Sequence, residues 1–437
     1  MIFRARSPAF GTRYSKVEEE MYMKGLRILG VFILAAGISS MCPYALAAGS
    51  SHPPIAIASD SDFQACNCLV SGSGTTADPY IIGPWTINSG SSGSTAVSVD
   101  GKSLTKSFTL FNLTIAGNGS SSSTGIVLNH INPSGQNTIS ASVMGTQTSI
   151  QSAGIGIVVE NSSFVTLDGG GANPNGAGIG NAAGTINKNF IGAIDIEKSS
   201  NVTVKGWQFS ANGQDNLPDF LTFDPSLAHW GVGAVRLFGS SNALVDHNAS
   251  NNCTTVSFSV FNSNNNTISN NTADYPFTNN VLITDGSSFN TVSNNVFSTA
   301  DFVGILVADP LPGSATLSQY GPSHDNLIEG NVDHTDGPTG NERHSGVAPS
   351  FVGGVVILNG TYNNTIANNQ VSSSSGTDLV WAQAIPDPSS PIGVANEPPV
   401  IHCNVTVSEG GGGFANHNGN VWSGNTARKI DSCITQQ

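Results

Sequence analysis

The chain has 437 residues, of which only 10% are charged, and a formal net charge of −14. So acidic a surface repels nucleic acid and anionic lipid headgroups, which excludes both as main partners. Disorder is excluded as well. Val and Ile recur at regular intervals among abundant Gly, Ser, Asn and Thr, the composition of short strands joined by polar turns.

At the N-terminus, Met23-Lys24-Gly25-Leu26-Arg27 is a basic n-region and Ile28 to Ile38 an apolar stretch too short to span a bilayer. Ala45-Leu46-Ala47 then fits a small-x-small cleavage pattern. Residues 1–47 read as an N-terminal extension and signal peptide, with a membrane anchor as the competing reading. Met1, Met21 and Met23 all remain open as the true start. The mature protein is expected to be secreted or periplasmic and not integral to a membrane. Without the leader, nine basic and 26 acidic residues remain, a net charge of −17.

Five cysteines lie beyond the leader. In an exported chain, Cys403 and Cys433 bracket the last segment and read as a disulfide closing a C-terminal cap. Cys66 and Cys68 stand too close in sequence to bridge one another comfortably. One of them pairing with Cys253, or both staying free, is open. A Cys-x-Cys copper or zinc site lacks nearby His ligands.

Residues 48–79 form a polar lead-in and N-terminal cap. The repeats begin at Tyr80-Ile81-Ile82-Gly83-Pro84-Trp85-Thr86-Ile87 and are expected to run to residue 400, with 401–437 as the C-terminal cap. Alternating apolar residues follow at Ser107 to Ile115, Gly125 to Leu128 and Gly156 to Leu167, and Asp168 to Lys188 is a Gly/Asn-rich loop. From Gly192 the register is plain. Gly192-Ala193-Ile194-Asp195-Ile196 is followed by Val202-Thr203-Val204-Lys205 and Trp207-Gln208-Phe209, and later turns open at Gly233, Val256, Val281, Ile305 and Val355.

One phrase recurs among these turns. Asn266-Thr267-Ile268-Ser269-Asn270-Asn271 returns at Asn290 to Asn295, Asn326 to Asn331 and Asn364 to Asn369. Strands of three to five residues are too short for stable hairpins, but they can stack on the same strand of the next turn, one full coil supplying the parallel crossover. Asn248, Asn271, Asn295, Asn331 and Asn369 are then one ladder, with amides bonding from coil to coil about 4.8 Å apart. Its two wider steps place insertions near Asp309–Ser323 and Asp336–Ser350.

These Ile/Val-x-x-Asn repeats, with the opening Asp78-Pro79-Tyr80-Ile81-Ile82, resemble a right-handed parallel β-helix of the pectate-lyase-like superfamily. The likeness is to the repeat class of NosD-type periplasmic proteins and of carbohydrate-binding and sugar-hydrolase β-helix domains. It covers roughly Tyr80 to the C-terminus. It implies an all-β solenoid of about ten coils and leaves the activity open, because the superfamily includes lyases, hydrolases, epimerases and non-enzymes.

Candidate chemistry lies on the strands and insertions. Alternation puts Asp195 and Arg236 outward at matching positions of consecutive coils, and Lys205 and Asp246 likewise, with His247 beside the latter. A hydrolase would need two carboxylates about one sugar bond, and a lyase a base with a cation on the uronate. Opposite charges on adjacent strands are also ordinary cross-strand pairs. The insertion Gly213 to Gly231 carries His229 and Trp230, and the later ones bring Tyr320, His324, Asp325 and Arg343. Aromatics beside carboxylates suit sugars. The catalytic candidates are therefore Asp195, Arg236, Asp246, His247, His324 and Asp325, and the substrate-binding candidates His229, Trp230, Tyr320 and Arg343.

The family comparison adds no enzyme signature. The Asn-Thr-Asp, Asp-Asp and His-Gly set of polygalacturonase-like hydrolases is missing, and Asp309-Pro310-Leu311 departs from the Asp-Pro-His-Asp motif of alginate epimerases. Three arginines beyond the leader are few for a uronate lyase. Copper delivery as in NosD is disfavoured by a single thioether, Met144. No cofactor is evident. Loop carboxylates could hold calcium, although no spaced motif asks for it. The expected function is an exported β-helix that recognises polysaccharide or cell-surface glycan and could cleave or modify it. The alternative is a non-catalytic, adhesin-like envelope solenoid.

Overall fold

The computed structural model describes residues 49–90, 93–180, 182–213, 233–253, 256–276, 279–300, 303–308, 321–334, 353–358, 361–372, 377–383, 401–402, 419–428, 430 and 434. Their strands form three sheets of twelve strands each. Consecutive strands of the chain belong to different sheets, and each pairs in parallel with the strand one coil on, apart from antiparallel pairs near the two ends. One such coil comprises Val256–Phe261 in sheet B, Thr267–Ser269 in sheet C and Thr272–Asp274 in sheet A. This is a parallel β-helix. It begins earlier than the sequence suggests, since Ser50–His52 and Ile55–Ile57 already pair with Trp85–Asn88 and Thr95–Asp100.

The corners follow from residue type. Between sheets C and A the chain turns on one left-handed residue, as at His247, Asn270, Asn294 and Asn368, followed by a buried Asn. Asn tolerates the left-handed region because its short amide bonds locally. The buried Asn closes the ladder. The Nδ2 of Asn271 donates to Oδ1 of Asn295 at 3.0 Å and to the Val245 carbonyl at 2.9 Å. Its own Oδ1 accepts from the backbone and side-chain nitrogens of Asn248. The run continues through Asn331 to Asn369 with the sequence-derived spacings and extends beyond them to Asn425.

The corner between sheets B and C is longer and carries two ladders. Ser162, Ser199, Ser240 and Ser263 each give a hydroxyl to a local carbonyl and accept an N–H from the preceding coil. Asn266, Asn290, Asn326, Asn364 and Asn420 then repeat the amide arrangement. In both ladders the side-chain oxygen accepts a buried backbone N–H that would otherwise cost about 1–3 kcal/mol.

Inward Val, Ile, Leu and Phe fill the axis, with Trp207, Phe209, Phe258 and Phe297 fully buried. Where sheet B begins, two successive residues enter the interior, so the first is small: a Cβ on Gly125 would fall 2.4 Å from the Gly156 carbonyl oxygen. At the N-terminal end the one-turn helix Asp62–Ala65 drives Phe63 against Tyr80 and Phe108.

Cysteine pairing departs from expectation. Cys66 and Cys68 form a disulfide with Cα atoms 5.1 Å apart, inside the usual range. Asn67 between them is left-handed (φ 53°), which folds the tripeptide back on itself. Trp85 seals it by donating from Nε1 to the Cys68 carbonyl at 2.8 Å. Cys253 is a buried free thiol. Cys403 and Cys433 lie outside the described residues.

Candidate functional site

Sheet B, which carries Asp195 and Arg236, is closed to ligands at their level. The two residues are register partners, as alternation predicts, but Asp195 is 0% and Arg236 3% exposed. The Arg236 Nε and Nη2 donate to the two Asp195 carboxylate oxygens at 2.7 Å each, Nη2 also reaches Glu197, and the guanidinium lies over the Phe238 ring. Such a fork satisfies the charges that burial would otherwise penalise. Further along, Leu282, Leu306 and Val356 point outward from sheet B and are buried with Phe261. The strands Val256–Phe261, Asn279–Thr284 and Val303–Val307 are buried throughout. The expected outward catalytic candidates Asp195 and Arg236 are therefore corrected to a buried ion cluster beside an apolar layer.

Sheet C is open. Its short strands alternate a buried Val or Ile with half-exposed outward residues. One outward row runs Asp168, Lys205, Asp246, Ser269, Ser293 and Glu329 in register. Lys205 stands between two carboxylates. Its ion pair, at 3.1 Å, is with Asp168 and not with Asp246.

Asp246 has other partners. One oxygen accepts from Nδ1 of His247 at 2.6 Å, and the other accepts from Ser269 Oγ and Asn270 Nδ2 at 2.8 and 2.9 Å. Burial pushes this carboxyl up, but the bonds from Asn270, His247 and Ser269 outweigh it and hold the pKa below its ordinary value. The Gly/Asn-rich loop after Asp168 reaches this place, the Gly178 N–H donating to the Asn270 carbonyl at 2.6 Å.

The opposite edge of sheet C is aromatic. Ser288, His324 and Tyr362 bridge one another on successive coils. The His324 and Tyr362 rings stack with centroids 4.6 Å apart and planes 7° from parallel. Phe289 meets His324 at 84°, so its ring plane runs along the stack. Nδ1 of His324 donates to Asp325 at 2.7 Å.

Phe289 breaks the corner's pattern. The equivalent left-handed residue is Asn201, Asn242, Asn265, Asp325 or Asn363 in other coils, and a phenylalanine stands there twice: Phe164 (φ 57°), which is half-buried, and Phe289 (φ 55°), which is 56% exposed. A bulky residue in that region is strained by about 1–2 kcal/mol, and nothing in the interior is gained by it. The residue escaped the sequence reading, although aligning Ser288-Phe289-Asn290 with Asn264-Asn265-Asn266 exposes the substitution.

The six catalytic candidates thus fall into three separate pairs. Asp195–Arg236 is buried on sheet B. Asp246–His247 and His324–Asp325 occupy opposite edges of sheet C, three strand spacings or about 14 Å apart along the axis. Glycosidase carboxyls stand about 5–9.5 Å apart, so these two dyads do not serve one bond. Of the substrate-binding candidates, His229, Trp230, Tyr320 and Arg343 all lie outside the described residues. Among the described residues no three His, Cys, Asp or Glu side chains group to hold a metal ion, and no helix is long and apolar enough to cross a membrane.

A family model described as "Right handed beta helix region" matches residues 95–310. No curated protein sequence matches the chain. Similar solved structures include an alginate lyase from Paenibacillus sp. str. FPU-7, 13% identical, covering 76% of this chain and 91% of that one with a TM-score of 0.38. A periplasmic alginate epimerase is 12% identical, with 87% and 82% covered and a TM-score of 0.30. The catalytic domain of a GH87 α-1,3-glucanase is 12% identical over 68% of this chain and only 49% of its own, with a TM-score of 0.32. The matched family model and the three stacked parallel sheets make this chain a right-handed parallel β-helix protein.

Proposed function

We propose that the protein is an exported polysaccharide-binding β-helix whose ligand lies lengthwise along the outer face of sheet C. The observation that carries this is Phe289, an exposed ring held in a strained backbone where the coils on either side use Asn265 and Asp325. Strain kept at a surface position has functional value more often than structural value. The apolar face of a sugar ring stacks on such a plane. Beside it, the dyads and the Ser, Thr and Asn side chains of successive coils offer hydrogen-bond partners at a repeat of about 4.8 Å.

Recognition, not cleavage, is the reading these groups support, because the two carboxylate–imidazole dyads are spread along the face. Export is supported by the leader features and by the Cys66–Cys68 disulfide, which belongs to an oxidising compartment. N-terminal sequencing of the mature protein should begin at Ala48.

The test of binding is Phe289→Asn, assayed by affinity electrophoresis and calorimetry over a panel of polysaccharides. Asn suits the corner, so the variant should fold at least as well as the parent while its glycan affinity falls about tenfold, the worth of one aromatic contact of roughly 1.4 kcal/mol. Unchanged affinity in a well-folded variant would remove this face as the binding site.

A further inference from the structure

Between Arg236 and Arg343 the chain carries no Lys or Arg at all, against ten Asp or Glu. Four consecutive strands of sheet C, Leu244–Asp246, Thr267–Ser269, Thr291–Ser293 and Leu327–Glu329, come from this stretch, as do Phe289, His324 and Asp325. The face therefore presents Asp246, Asp325 and Glu329 with no lysine or arginine of its own. Among the described residues, Lys205 on the preceding strand of sheet C is engaged by Asp168.

Resting on the glycan reading above, we infer that the bound polymer is an uncharged polysaccharide. A uronate or sulfated chain laid along sheet C would bring a negative charge every sugar or two against these carboxylates, with no lysine or arginine on these four strands to receive it. Recognition of an acidic sugar needs a paired cation, typically an Arg fork. That element is absent here from the sequence itself, so residues outside the described ones cannot supply it within residues 237–342.

An amino-bearing polymer would be recognised differently. Asp246 already accepts three hydrogen bonds and Asp325 is taken by His324. Hydrogen bonds orient these carboxylates as acceptors for sugar hydroxyls, and a polymer of bare ammonium groups would be held by charge alone, with a steep dependence on salt. The recognition left to the face is ring stacking on Phe289 plus hydroxyl hydrogen bonds.

The experiment compares the mature protein against neutral polymers (an α-1,3-glucan, a β-1,3-glucan and a galactomannan), acidic polymers (alginate and polygalacturonate) and the amino polymer chitosan. At least one neutral polymer should bind, with affinity changing less than about twofold between about 0.05 and 0.5 M NaCl, since no ion pair is screened. Phe289→Asn should weaken that binding. Tighter binding of alginate or polygalacturonate would overturn the inference while leaving the glycan reading intact. So would chitosan binding that collapses with salt. Failure of every polymer would overturn the glycan reading and this inference together.

Discussion

In the two corners that flank sheet C, the buried and the outer positions have been allowed to vary differently, and outer drift occurs at both, as His247, Asn270 and Gly330 show at the sheet C to sheet A corner. At the sheet C to sheet A corner, the buried position is Asn in every coil from Asn248 to Asn425. At the sheet B to sheet C corner, the buried Ser and Asn ladders are equally regular, yet the left-handed residues beside them drift. One site passes from Asn262 to Asp285, and another from Asn265 to Phe289 to Asp325. Buried repeat positions answer backbone N–H groups in the preceding coil and cannot change without orphaning them. The outer positions answer only to a backbone angle, which leaves their chemistry free for other use.

The largest expected effect is at a buried rung. In Asn331→Ala, the Asn295 backbone N–H loses its acceptor and the Val292 carbonyl its donor, both deep in the stack. At roughly 1–3 kcal/mol for each orphaned group, a loss of about 3–5 kcal/mol is expected. Denaturant unfolding of the purified variant measures it. A loss below about 1 kcal/mol would mean that the ladder is decoration on a fold held by its apolar axis.

Next comes the drifted residue that is nevertheless buried. Asp285 is fully covered, its Oδ1 has only a 3.5 Å contact with the Thr284 hydroxyl, and its Oδ2 has no hydrogen-bond partner. Burial raises its pKa to about 7, with Thr284 only partly opposing. A raised carboxyl pKa means the folded state holds its proton longer than the unfolded state. Stability is therefore full below pH ~4 and declines towards pH ~7, by up to on the order of 1 kcal/mol per pH unit. Asp285→Asn keeps a residue that tolerates this corner, as Asn262 does one coil earlier. It should raise Tm at pH 7.5 and change it little at pH 4. Equal shifts at both pH values would show that the carboxylate is solvated or otherwise neutralised.

Much of this division was legible beforehand. The spacings of 23, 24, 36 and 38 residues between ladder asparagines are the hydrogen-bonded separations in the structure, because a bond between identical side chains leaves an identical letter in each coil. Register was readable too, so Asp195 and Arg236 pair as expected. Their burial was not readable, since alternation says which way a side chain points and nothing about what lies over it. The serine ladder went unnoticed because Ser is common in loops as well as rungs. The Cys66–Cys68 bridge depended on one left-handed Asn between the two cysteines, a backbone choice that two-residue spacing does not reveal. Phe289 was hidden for a different reason. It departs from a repeat, and departures show only after the repeat has been aligned.

The smallest effects test whether the outer corner position is independent of the ladders. Asn265 is exposed and left-handed, one coil before Phe289, and its backbone N–H bonds the Ser288 carbonyl. Asn265→Phe should cost about 1 kcal/mol, and Phe289→Asn should return about the same, each from the steric penalty of a bulky residue in the left-handed region. Combined, the two exchanges should cancel to within about 0.5 kcal/mol, because neither side chain enters a buried network. The doubly exchanged protein would also carry its ring one coil, about 4.8 Å, towards the N-terminal end. A polymer read mainly by that ring should recover part of the affinity lost in Phe289→Asn, whereas one held by His324 and Tyr362 together with the ring should recover none. Thermal unfolding and calorimetry on the same four proteins separate the stability of the corner from the use made of it.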